Sequence, residues 1–118
     1  MKSPIPVLRS FDEGKAKEFY IGFLGFKIDW EHRFADGMPL YMQISRGECV
    51  LHLSEHYGDS SPGARIRIQT PNLDSYVEGL RASDYPYCKP GAPEMQPWGC
   101  KEVEISDPFG NRLTLCSE

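Results

Sequence analysis

Apolar side chains recur along this chain with two different periods, and the switches between them outline its elements. A short, partly apolar stretch at 5–11, beside Pro4 and Pro6, suits a first strand. Asp12 is placed to cap a helix, with Glu13 favourable in its first turn. Ala16, Phe19, Tyr20, Phe23 and Leu24 then follow at helical spacing, and Gly25 marks the stop. From 26 the period becomes two: Phe26, Ile28, Trp30, His32 and Phe34 alternate with Lys27, Asp29, Glu31 and Arg33. Asp36-Gly37 predicts a hairpin turn into a strand carrying Leu40, Met42 and Ile44. Arg46-Gly47 predicts a second turn, into a strand at 48–54 with Cys49, Leu51 and Leu53 on one face and Val50 and His52 on the other.

The polar, Gly/Pro-bearing stretch 55–63 reads as a linker, after which the same order begins again. A strand at 64–70 carries Ile66 and Ile68. Asn72 is placed to cap a second helix striped by Leu73, Tyr76, Val77 and Leu80. Residues 85–99 are rich in Pro and Gly and predict irregular chain with one short strand. CKEVEISD alternates Val103 and Ile105 against Glu102 and Glu104, and Asp107-Pro108 with Gly110-Asn111 turns into a last strand, RLTLC. The prediction is an α+β fold of two tandem βαβββ modules in a single domain over 1–118, with module one at about 4–54, the linker at about 55–63 and module two at about 64–118. Neither half buries its helix and both sheet faces alone, so pairing of halves is expected.

The length, 118 residues, suits one modest core. A roomy ligand site forms more easily between two subunits than inside one, which favours a homodimer. Thirteen Lys and Arg against seventeen Asp and Glu give a formal charge of −4, hence about −8 for a dimer. That sign disfavours nucleic acid and anionic membrane surfaces and is compatible with a cationic ligand. No apolar run has the length of a signal peptide or a membrane span, so a cytoplasmic location is expected. Cys49, Cys88, Cys100 and Cys116 lack CxxC spacing and read as free thiols.

Familiar catalytic motifs are absent: there is no GxSxG elbow, P-loop or GxGxxG. His52 and His56 form an HxxxH pair, which on a helix would face one ion. The alternation around His52 instead says strand, where four residues span about 13 Å, too far for one metal. Glu102 and Glu104 share a strand face about 7 Å apart. They are either a solvated face or carboxylates lining a cleft, where they would attract a cation.

Two stretches resemble a known family. D-x6-FYIGFLGF at 12–26 is similar to the first-helix signature of the vicinal oxygen chelate (glyoxalase/bleomycin-resistance/dioxygenase) superfamily, and DPFGNRLTL at 107–115 resembles its last hairpin. PEMQPWGCKEVEISDPFGN at 93–111 resembles the bleomycin-resistance proteins, which carry Gln-x-Trp-Gly at this place. The resemblance implies curved sheets in a homodimer, and binding members that hold a flat cationic glycopeptide antibiotic in clefts between subunits. Its enzymes hold a divalent metal through side chains of four strands. The matching positions here are Ile5, His52, Arg65 and Thr114, of which only His52 is a ligand type. The resemblance therefore implies no metal and no other cofactor for this chain.

The candidate ligand-binding residues are Trp30, Phe34, Tyr41, His52, Trp98, Glu102 and Glu104. Trp98 comes from the Gln-x-Trp-Gly match. Trp30 and Phe34 share a predicted strand face, which serves either a core or a stacking surface. Tyr41 and His52 supply polar contacts. Two functions are open at this point. One is a binding protein that sequesters a cationic aromatic, bleomycin-like compound without chemistry. The other is a metal-dependent lyase, isomerase or dioxygenase of the same fold.

Overall fold

A computed structural model describes residues 1–117. The chain runs β1 (Val7–Arg9), a first helix that begins as one α-helical turn, α1 (Glu13–Ala16), and continues as π-helix over Lys17–Phe23, then β2 (Lys27–His32), β3 (Tyr41–Arg46) and β4 (Cys49–Ser54). The order repeats as β5 (Arg65–Gln69), α2 (Leu73–Arg81), β6 (Glu94–Met95), β7 (Lys101–Ser106) and β8 (Arg112–Ser117). Two four-stranded sheets result, A in the order β1-β4-β3-β2 and B in the order β5-β8-β7-β6. In each, the first strand pairs parallel with the last, and the others pair antiparallel. No helix among the described residues is long and apolar enough to cross a membrane.

Local chemistry accounts for most boundaries. The Asp12 carboxylate accepts from the Lys15 amide at 2.8 Å, capping α1. Gly25 ends the first helix at a φ of 86°, a left-handed value that a side chain resists. Three expectations are corrected. The first strand is confined to Val7–Arg9, because only those residues align with His52–Ser54 of β4. Most of the first helix is π-helical, with the Leu24 amide donating to the Phe19 carbonyl five residues back at 2.9 Å. Asn72 does not cap α2 with its side chain but turns the chain in the left-handed region, at a φ of 55°.

Alternate residues of both sheets face one continuous core. Leu8, Met42, Ile44, Leu51 and Leu53 from sheet A are buried with Ala16, Phe19, Tyr20, Phe23 and Leu24 of the first helix. Val103, Ile105, Leu113 and Leu115 from sheet B join them, with Leu73, Val77 and Leu80 of α2. A polar joint ties the halves. The Tyr20 hydroxyl donates to Asp107 Oδ2 at 2.7 Å, and Asp107 also accepts from the Phe109 and Asn111 amides and from Asn111 Nδ2, each at 2.8 Å. Asn111 Nδ2 reaches the Arg9 carbonyl at 2.9 Å. Burial first, and then the Asp107 charge, push the Tyr20 phenol well above its ordinary range, so it stays a donor. The molecule is flat, 46 × 38 × 24 Å, with a radius of gyration of 14.6 Å. A compact chain of this length would have about 13.5 Å. The flatness leaves one face of each sheet uncovered.

Candidate functional site

The uncovered face of sheet A carries an aromatic and polar cluster. Tyr41, Gln43 and Ser45 project there from β3, opposite in direction to buried Met42 and Ile44. His52 pairs with Gln43 across β3 and β4. Trp30 joins them only because β2 has a bulge. Ile28 opposes Ile44 and Trp30 opposes Gln43, so the residue between, Asp29, is extra. The even alternation expected from Phe26 to Phe34 is therefore broken. Ile28 aligns with the core-facing side, whereas Trp30 aligns with the open one.

Within the cluster the Trp30 and Tyr41 rings are nearly parallel, 10° apart with centroids at 5.9 Å. The His52 ring stands edge-on to both, at 5.3 Å and 5.2 Å. The Tyr41 hydroxyl lies 2.6 Å from His52 Nδ1, and His52 Nε2 lies 3.0 Å from Gln43 Oε1. Gln43 Nε2 in turn donates to Asp29 Oδ2 at 3.0 Å, and Ser45 donates to Asp29 Oδ1 at 3.0 Å. These donors, Gln43 foremost, hold the Asp29 carboxyl below its usual range, while burial lowers the His52 imidazole and raises the Tyr41 phenol. Phe34 falls beyond the end of β2. It meets the cluster's edge through His32, at 4.9 Å, and also contacts His56, at 5.9 Å. His56 lies in a loop, against Phe34.

The remaining candidates lie on sheet B. Glu102 is buried and forms a two-pronged pair with Arg67, at 2.5 and 3.3 Å. The Trp98 indole N–H donates to the same carboxylate at 2.7 Å, although Trp98 itself is 63% exposed. Arg67, then Trp98, hold Glu102 below its ordinary range. Glu104 is exposed and lies 3.7 Å from Arg65. The structure thus gathers Trp30, Tyr41 and His52 in one place, and Trp98 with Glu102 in another. Gln43, Asp29 and Arg67 went unnoticed in the sequence. Gln43 and Arg67 alternate with buried or half-buried apolar neighbours and were legible from that period; the bulge hid Asp29.

Register across the parallel strand pairs sets Val7 and Arg67 beside the other two positions carried over from the family. Val7, not Ile5, stands opposite His52, and Arg67, not Arg65, stands opposite Thr114. The substitutes are again an alkyl chain and a permanent cation. Thr114 is buried and accepts from Arg65 Nε at 3.3 Å. Both His52 nitrogens are engaged in hydrogen bonds. Among the described residues no three His, Cys, Asp or Glu side chains gather in a metal-holding arrangement. These residues do not fit the divalent ion of the family's enzymes.

A cleft of about 830 Å³ lies elsewhere, between the β3–β4 turn and the start of α2. Its Arg46 guanidinium sits 4.5 Å over the Tyr76 ring, and Tyr76 donates to the Leu24 carbonyl at 2.5 Å. Burial raises the Cys49 and Cys116 thiols that line it. These groups are already occupied or unreactive, so the open face of sheet A is the better candidate despite its shallower shape.

The family model described as glyoxalase superfamily protein matches residues 1–118, and the chain belongs to that superfamily. No curated protein matches the sequence. Among solved structures, a bleomycin-binding protein complexed with bleomycin superposes with a TM-score of 0.76 at 23% identity, covering 100% of this chain and 99% of that one. A glyoxalase/bleomycin resistance protein/dioxygenase superfamily member from Sphaerobacter thermophilus has a TM-score of 0.76 at 24% identity, covering 100% and 98%. TnmS3, an antibiotic-binding protein from Streptomyces sp. CB03234, has 0.74 at 24%, covering 98% and 96%. At these identities the likeness is one of fold.

Proposed function

We propose that this protein is a small-molecule binder that sequesters a cationic, planar aromatic compound of the bleomycin type, without chemistry, in an interface cleft of a homodimer. The observation that carries this reading is the Trp30–Tyr41–His52 cluster: Trp30 is 43% exposed and nearly parallel to Tyr41, on the open face of sheet A. A flat ring stacked there gains aromatic contact beyond area burial, about 0.5–1.5 kcal/mol per pair. Solved proteins of this fold include one complexed with bleomycin and one described as antibiotic-binding, which supports the ligand class. A second copy of the chain would turn the open face into an enclosed cleft, with Trp98, Glu102 and Glu104 of sheet B as candidates for its other wall. Arg67 neutralises Glu102. Attraction of a cation then rests on the overall charge of −4 and on exposed Glu104.

Calorimetric titration with bleomycin tests this reading. The expected result is a saturable isotherm with one site per subunit or per interface, lost in Trp30→Ala. No heat and no thermal shift at high micromolar bleomycin would exclude that ligand. Near-stoichiometric nickel, zinc, iron or manganese in protein purified without chelators would instead favour the enzymatic reading.

A further inference from the structure

The hydrogen bonds on the open face of sheet A run in a chain whose direction is dictated from one end. Asp29 is a carboxylate and accepts only. The amide nitrogen of Gln43 must therefore face it, as observed at 3.0 Å. That places the Gln43 carbonyl oxygen against His52 Nε2 at 3.0 Å, so Nε2 carries the imidazole proton. Nδ1 is then a bare lone pair, and the Tyr41 hydroxyl, 2.6 Å away, must donate to it. Tyr41 has a single proton and has used it.

We infer that Tyr41 confronts a ligand as a hydrogen-bond acceptor, and that the site selects planar aromatic compounds carrying N–H donors over those whose nitrogens are fully substituted. This rests on the aromatic-ligand reading above and specifies the chemistry of that site. Tyr41 is half-buried and lies beside the exposed Trp30 ring, and its hydroxyl oxygen keeps a lone pair to offer a ligand there. Donation to His52 leaves the phenol oxygen richer in electron density, because linked hydrogen bonds polarise one another. A ligand N–H stacked over Trp30 gains both contacts. A ligand with only acceptors would place lone pair against lone pair.

Two measurements test the chain and the selectivity separately. Nitrogen-15 NMR of the imidazoles at pH 7.5, with the His52 signals assigned by their loss in His52→Asn, is expected to show Nε2 protonated and Nδ1 bare. Gln43→Leu is expected to mix the two tautomers. Finding the proton on Nδ1 in the unaltered protein, or no change in Gln43→Leu, overturns the chain. For selectivity, 3,6-diamino-10-methylacridinium and 10-methyl acridine orange are both flat, permanently cationic acridines, but only the diamino dye has N–H groups. The diamino dye is expected to bind roughly three- to tenfold more tightly, and Tyr41→Phe to erase that difference. Equal binding, or a difference that survives in Tyr41→Phe, overturns the acceptor role. If neither dye binds, the aromatic-ligand reading fails and takes the selectivity with it, while the imidazole signals still decide the hydrogen-bond chain.

Discussion

The two sheets share one topology, yet their open faces use opposite chemistry. On sheet A the face is built of rings and a neutral hydrogen-bond chain, Tyr41–His52–Gln43, ending on Asp29. On sheet B the equivalent face is built of ion pairs, Arg67 with Glu102 and Arg65 with Glu104, and its one indole is tied to a carboxylate. His52 and Thr114 occupy matching places, each opposite a residue of the outermost parallel strand. One neighbour is Val7 and the other is Arg67. The repeat therefore places residues and leaves their chemistry free. A surface built of aromatic rings and one built of ion pairs have arisen on the same scaffold.

The largest expected effect comes from cutting the joint that holds the sheets in one molecule. Asp107→Ala strands the Tyr20 hydroxyl, Asn111 Nδ2 and two backbone amides. Urea unfolding should show a loss of about 3–4 kcal/mol. A loss below about 1 kcal/mol would mean that each sheet stands with little help from the joint.

Next in size is the contrast in ligand binding. Trp30→Ala should weaken bleomycin binding roughly 10–100-fold with little change in the urea midpoint, since the ring is partly exposed. Trp98→Ala should weaken it less, because its indole is committed to Glu102. Equal losses would place the two faces on an equal footing at the site.

Acid should separate the faces as well. The folded chain holds His52 below its ordinary value, so the unfolded chain takes up that proton first as pH falls. The sheet A contribution is therefore intact above about pH 6.5 and fades below it. Glu102 is lowered from a reference of 4.5, mainly by Arg67, so its contribution is present above that pH and disappears as pH falls further. Urea midpoints measured from pH 8 to 3 should show the first fall flattened in His52→Gln and the second in Glu102→Gln.

The smallest effect is expected at Glu104. It is exposed and 3.7 Å from Arg65, and Glu104→Gln should shift stability by less than about 0.5 kcal/mol in the same assay.

Periodicity and turn chemistry determined a good deal unaided: the element order, the helix start at Asp12, the stop at Gly25, and the faces of β3, β4 and β7. These are local properties, set by spacing, caps and glycine, and each is visible within a few residues. Tertiary structure alone decided that Asp29 bulges out of β2, that Phe34 falls beyond its end, and that Val7 rather than Ile5 stands beside His52. It also decided that Gln43 links His52 to Asp29, and that Arg67 takes Glu102. The reason is that strand register and side-chain pairing depend on which strands lie next to each other. A single inserted residue in one strand exchanges the faces of all that follow, and no stretch of sequence read by itself contains the partner that decides it.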